Sequence, residues 1–168
     1  MISRVQKGMI AGCVATVVVS VVDLAATVIQ NMMQASGSGR AFYSFAALLT
    51  TMASEVFGSG LGNVWVGWLI HLLVGSLILG PAFAVLAPRL PTDTPATKGI
   101  LFAVGTWLIM CVTVMPLAGL GIFGLGAGFG TMAWMLVINV IFGIVLGRVF
   151  DRLHGDTGHL RRHLPIAE

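Results

Sequence analysis

The sequence predicts an all-α membrane protein that forms a four-helix transmembrane bundle, and two observations support this fold class. Of the 168 residues, 57% are hydrophobic and only 9% are charged, whereas soluble domains carry about 25% charged residues. The chain also contains four long apolar runs, and about 20 apolar residues suffice to cross the hydrocarbon core of a membrane. The clearest run, at 64–86, has no formal charge and contains one histidine, His71.

The four predicted spans cover residues 8–32, 64–86, 99–122 and 131–150. They form one membrane domain, residues 1–150, followed by a polar tail at 151–168. Pro81 lies within the second span and Pro116 within the third, and proline kinks a helix because it lacks the N–H that the helix requires.

The connections differ in character. Residues 34–40 form a polar linker, 87–98 a loop with three prolines, and 123–130 a glycine-rich turn. Residues 41–57 have apolar positions at helical spacing but are too few to cross the membrane. This stretch predicts one short interfacial helix, lying in the membrane surface or packed across the mouth of the bundle.

The basic residues predict the orientation. With four spans, eight of the nine Lys and Arg residues fall on one side, and only Arg40 falls on the other. The positive-inside rule therefore predicts that both termini are cytoplasmic. We expect a multi-pass protein of the bacterial inner membrane.

Two short matches indicate an internal repeat. Lys7-Gly8 and Lys98-Gly99 open the first and third spans, and His71-x3-Gly75 aligns with Asn139-x3-Gly143, with Leu79 opposite Gly147. The chain then consists of two parallel repeated hairpins, related by an axis along the membrane normal.

Glycines at helical spacing predict close helix packing, because small residues let two backbones approach each other in a membrane. The pattern does not distinguish contacts within one chain from contacts between subunits. The residues concerned are Gly8, Gly12, Gly75, Gly80, Gly143 and Gly147.

Four side chains are candidates for a ligand or proton site. A rise of about 1.5 Å per residue places Asp23, His71, Asn139 and Met115 in one layer of the bundle. Ionisable residues within spans face the bundle interior or water and mark functional sites. The alternative is structural: Asp23 reaches interfacial water, and His71 hydrogen-bonds a neighbouring helix.

The sequence gives no sign of a reactive cysteine, a metal site or a catalytic site. Cys13 and Cys111 lie in apolar runs, where a thiol packs as a small hydrophobe. No metal site, catalytic residue or enzyme activity is expected, and the scattered basic residues argue against nucleic acid as a partner. No cofactor is expected either, although a haem held by His71 with Met115 or Met110 is the sharpest alternative.

The two hairpins opening with Lys-Gly, the His71-x3-Gly75 motif and its Asn139-x3-Gly143 echo resemble small four-span bacterial inner-membrane proteins that are classified only as a domain of unknown function. The resemblance covers most of the chain. It implies a histidine in both halves, so Asn139 departs from the pattern and puts a shared metal or haem role in doubt.

Three functions follow from these expectations. The first is an accessory or assembly subunit of a larger, plausibly respiratory, membrane complex, with other membrane subunits as partners. The second is a self-contained small transporter or channel with an intramembrane polar site, working alone or as a homo-oligomer. The third is a haem-binding membrane electron carrier.

Overall fold

A computed structural model describes residues 2–35, 45–60 and 62–162. Over these ranges the chain is helical and contains no β-strand. Four segments are long and apolar enough to cross a membrane: Arg4–Gln34, Val64–Arg89, Pro95–Leu117 and Phe129–Gly155. The predicted four-helix bundle is confirmed. Most of the predicted linker, the start of the short helix at 41–44 and the end of the tail at 163–168 lie outside the described residues.

The described ranges contain seven α-helices. One π turn (Val74–Leu79) connects α3 to α4, and we refer to α3, the π turn and α4 together as span two. Two 3-10 turns follow α4 and precede α7, at Ala87–Arg89 and Ile122–Ala127. The helices are α1 (Arg4–Ala35), α2 (Phe45–Phe57), α3 (Val64–Leu73), α4 (Gly80–Leu86), α5 (Pro95–Val112), α6 (Val114–Leu117) and α7 (Phe129–Arg162).

Side-chain caps fix where two of the helices begin. Asn63 accepts a hydrogen bond from the Val66 N–H at 3.0 Å and starts α3. Thr94 accepts one from the Thr97 N–H at 3.2 Å and starts α5, with Pro95 in its first turn. Both are favoured helix starts, because the cap satisfies an N–H that has no partner within the helix. The third span thus begins at residue 95 rather than at the predicted 99.

Two helix ends also differ from prediction. The third span ends with α6 at Leu117, not at residue 122, because Gly119 and Gly121 adopt positive φ angles of 73° and 71° that stop the helix. By contrast, α7 continues past residue 150 to Arg162. Hydropathy falls where charged residues begin, but backbone hydrogen bonding continues through them.

Close glycine contacts hold the spans together in two pairs. On one side α1 packs against span two, and a methyl group at Gly8 would overlap the Gly80 carbonyl. On the other side α5 packs against α7, and a methyl group at Gly99 would overlap the Gly143 carbonyl. The two pairs join where α1 packs against α7. The predicted packing glycines therefore meet partners within this chain.

The short helix α2 packs against α3 rather than standing apart from the bundle. Leu48, Leu49 and Ala53 are buried, and Gly67 of α3 leaves room for Leu49, whose Cβ would lie 2.7 Å from a methyl group at that position. Of the two placements considered from the sequence, the structure has the helix across the bundle.

Span two accommodates Pro81 through its π turn. The Gly80 N–H donates to the Gly75 carbonyl, five residues earlier. Proline within a regular α-helix clashes with the carbonyl four residues before it. The wider turn lets the helix continue past Pro81.

Candidate functional site

The candidate site starts from His71, which lies near the end of α3, directly before the π turn. Its imidazole packs edge-on against the Trp68 indole, with ring centroids 5.9 Å apart. The side chain is half-buried and lines a cavity inside the bundle. A polar ring is thereby placed among apolar helices, facing a space that a molecule can occupy.

Asn139, the predicted counterpart of His71, lines the same cavity from α7. Its Nδ2 donates to the Met135 carbonyl of the preceding turn at 2.8 Å. Within the described part of the chain this is the only hydrogen bond of the amide, so Oδ1 remains available as an acceptor. The structure therefore brings two of the four predicted site residues to one cavity from two different spans.

The cavity has a volume of about 320 Å³. Ligand pockets are typically about 300–1,000 Å³ and mostly apolar, with a few polar groups that orient the ligand. Here the polar lining residues are His71, Asn139 and Thr106, whose hydroxyl donates to the Ala103 carbonyl at 2.9 Å. None of the described residues that line it is Asp, Glu, Lys or Arg. The apolar lining residues are Val19, Leu48, Leu49, Met52, Ile70, Val74, Leu79, Ile109, Met110, Val114, Ile138 and Phe142.

The cavity lies between span two and α5, which both contribute lining residues. In the described ranges, α3 and the π turn pack against α1 and α2 but not closely against α5. Ile109 of α5 lines the cavity and is also 63% exposed on the outside of the bundle. Leu48, Leu49 and Met52 of α2 close another side. The lining thus includes a residue that is also exposed on the outer surface of the bundle.

Asp23 lies outside this cavity. Its carboxylate is only 1% exposed, and its Oδ1 accepts a hydrogen bond of 2.9 Å from the Trp134 indole N–H. The bond joins α1 to α7. Asp23 therefore does not line the same space as His71.

Met115 is likewise separate from the cavity. It is fully buried in a second cluster with Cys111 and Met135, beneath the glycine-rich turn. Its sulfur would lie 2.7 Å from a methyl group at Gly124. Of the two methionines considered as partners of His71, only Met110 lines the cavity.

Sequence reasoning did not identify Trp134, Thr106 or the contribution of α2. Asp23 could have indicated a partner such as Trp134, because a carboxylate buried in a membrane requires a hydrogen-bond donor. Thr106 and the α2 residues carried no such signal. Their place in the cavity depends on how the helices rotate about their axes.

A protein-family model matches residues 2–161 of the chain, under the description "Family of unknown function (DUF6789)". No curated protein and no solved structure matches the chain. The matched residues include all four spans and the cavity between them. The chain therefore belongs to DUF6789, a family of unknown function.

Proposed function

We propose that this protein binds a small, uncharged lipophilic molecule in the cavity between its spans and exchanges it with the surrounding membrane. This is the transporter hypothesis in a specific form. The observation that carries it is the apolar cavity of about 320 Å³, in which His71 and Asn139 supply polar groups from facing helices.

The polarity of the lining supports an uncharged ligand. A charged molecule leaving water needs compensating charges, because burying an unpaired charge is very costly. The described lining residues offer none. Asp23, the buried acidic residue that suggested an ion path, bonds Trp134 outside the cavity. An ion channel through this cavity is therefore less well supported than binding of a neutral molecule.

The polar groups indicate what the ligand carries at one end. Asn139 Oδ1 accepts a hydrogen bond from a hydroxyl or N–H group, and an imidazole can donate or accept. Thr106 adds a hydroxyl oxygen that can accept further bonds. The expected ligand is an amphiphile with a small hydroxyl- or carbonyl-bearing head and an apolar remainder that contacts the methionine and aliphatic side chains.

The proposal is tested by extraction and mass spectrometry of small molecules that co-purify with the protein in lipid nanodiscs. Met52→Trp should fill the cavity from α2 and remove a molecule that the natural protein retains. Leu69→Trp adds the same ring on the exposed outer surface of α3 and should leave retention unchanged. Identical extracts from all three folded proteins would contradict the proposal.

In the haem-carrier alternative, His71 and Met110, which both line this cavity, would be the residues that hold the haem iron. Its test is direct, because a haem protein purified from cells grown with iron has a strong Soret absorbance. Loss of that absorbance in Met110→Leu would support haem, whereas a colourless natural protein would exclude it.

The accessory-subunit hypothesis has one supporting feature, Gly105 on the outer face of α5. This glycine is exposed, and a methyl group there would meet nothing within 4 Å. Small residues on lipid-facing surfaces favour close helix contact. Affinity purification in mild detergent tests it: stoichiometric companions lost in Gly105→Leu but not in Leu101→Ala would support a subunit contact.

A further inference from the structure

A second cavity lies at the end of the bundle where α1 and α5 begin and where α7 passes residue 150. Its volume is about 210 Å³, and its charged lining residues are Arg4, Asp93, Lys98 and Asp151. All four candidate membrane spans start or end within a few residues of this cavity. It therefore sits where the helices reach the headgroup layer.

The four charges do not neutralise one another. In the described part of the chain, none of these side chains forms an ion pair, although all four line the same space. Two are cationic and two are anionic. A purely anionic ligand would face both carboxylates, and a purely cationic ligand would face Arg4 and Lys98.

The floor and rim of this cavity are held in place by specific contacts. Phe83 and Phe150 form the floor and pack edge to face, with centroids 5.4 Å apart. Arg4 Nε donates to the Ala84 carbonyl at 2.7 Å, and the guanidinium carbon lies 5.8 Å from the centre of the Phe150 ring. These contacts fix the guanidinium and leave its terminal nitrogens for a ligand.

We infer that this cavity binds a zwitterionic group made of a phosphate and a primary ammonium, the headgroup of a phosphatidylethanolamine-type lipid. Arg4 and Lys98 bind the phosphate, and Asp93 and Asp151 accept hydrogen bonds from the ammonium. The N-terminus of α5, whose Pro95 also lines the cavity, adds partial positive charge for the phosphate. The volume is below the range of about 300–1,000 Å³ that suits a drug-sized ligand, as expected for a headgroup whose acyl chains remain in the bilayer.

The inference is independent of the ligand proposed for the intramembrane cavity, because the two cavities share no lining residue. Delipidated full-length protein is titrated with phosphatidylethanolamine, phosphatidylcholine or phosphatidylglycerol of equal chain length, and bound lipid is counted by native mass spectrometry. We expect phosphatidylethanolamine to bind tightest. The trimethylated headgroup cannot donate hydrogen bonds to the carboxylates, and the glycerol headgroup carries no cation.

Lys98→Gln and Asp151→Asn should each weaken phosphatidylethanolamine binding about tenfold, the change that corresponds to losing one charge-assisted hydrogen bond. Arg148→Gln is the matched control, because Arg148 is exposed on α7 and does not line the cavity. Asp93→Asn in the loop before α5 gives the same test if Asp151→Asn does not fold.

Three outcomes would overturn the inference. Equal binding of the three lipids would indicate unspecific lipid contact. Tighter binding of phosphatidylglycerol, with Asp151→Asn strengthening it, would indicate a plain anion site. Stabilisation by soluble phosphoethanolamine without any preference among the lipids would assign the cavity to a water-soluble ligand.

Discussion

At the scale of single residues, Asp23 shows how the bundle tolerates an acidic group inside a span. Placing a charged residue at the centre of a membrane helix costs about 2.5–3.5 kcal/mol on insertion scales. The Trp134 indole N–H meets the carboxylate at 2.9 Å and ties α1 to α7. We interpret Asp23 as a helix-joining residue rather than as part of the ligand site.

This interpretation predicts that Trp134→Phe destabilises the protein by about 1–3 kcal/mol, since a buried acceptor loses its donor. Asp23→Asn should cost less, because the amide keeps an oxygen that accepts from Trp134. Thermal or denaturant unfolding in detergent measures both. Trp65→Phe is the control, since Trp65 is 79% exposed. Equal stability of Trp134→Phe and the natural protein would contradict the interpretation.

Asn139 supports a different prediction, because its amide faces the cavity. Replacing Asn139 with leucine should weaken ligand retention about tenfold, a loss equivalent to one hydrogen bond. Stability should change little, because an apolar side chain of similar shape suits an apolar wall. Quantitative mass spectrometry of the co-purified ligand provides the measurement. Ser76→Ala, which removes a hydroxyl bonded to the Leu72 carbonyl within span two, is the control and should retain the ligand.

The sequence placed Asp23, His71, Asn139 and Met115 in one layer, yet only His71 and Asn139 line one cavity. The reason is geometric. Rise along a helix gives depth in the membrane, whereas the direction of a side chain depends on rotation about the helix axis, about 100° per residue. Counting residues along each helix therefore could not separate the two residues that line the cavity from the two that do not.

At the scale of elements, the π turn of span two was not predicted from the sequence. The spacing of Gly75 and Gly80 is five residues, whereas Gly143 and Gly147 are four apart in a regular α-helix. A π turn closes over five residues, so it returns Gly80 to the face that Gly75 presents to α1. Gly80 therefore packs against Gly8 of α1, as Gly143 packs against Gly99 of α5.

This reading predicts that deleting Leu77 is tolerated when Pro81 is also replaced by alanine. The shortened segment would have the Gly-x3-Gly spacing that α7 already presents in a regular helix, and both glycines would still face α1. Its melting temperature should stay close to that of Pro81→Ala alone. Deleting Val145 from α7 is the matched control and should unfold the protein, because Gly147 would turn away from α5 by about 100°. Similar losses from both deletions would rule out the register argument.

The apolar runs did not mark where two of the helices begin and end. The Thr94-Pro95 pair is a recognisable start signal, yet the predicted third span begins four residues later, at 99 instead of 95, where the apolar run begins. The end of α7 could not be read in this way, since charged residues at 148–152 end the apolar run but not the helix. The predicted boundary at 150 therefore falls inside α7.

At the scale of the whole molecule, the two helix pairs have similar contacts. Gly8 meets Gly80 in one pair, and Gly99 meets Gly143 in the other, each at the start of a span that opens with Lys-Gly. This similarity supports the predicted internal repeat, which stays a prediction. The feature that the second pair lacks is α2, and α2 forms one wall of the ligand cavity.

The final prediction concerns the orientation of the protein in the membrane, and it rests on the distribution of basic residues. Eight of nine Lys and Arg residues belong to the end that carries both termini, and positively charged loops stay cytoplasmic. In a protein with Cys13→Ala and Cys111→Ala, a cysteine at exposed Ser59, between α2 and α3, should react with a membrane-impermeant maleimide in intact cells. A cysteine at exposed Ser3 should react only after the membrane is permeabilised. The reverse pattern would invert the bundle, and the cavity formed by Arg4, Asp93, Lys98 and Asp151 would then face the outer leaflet.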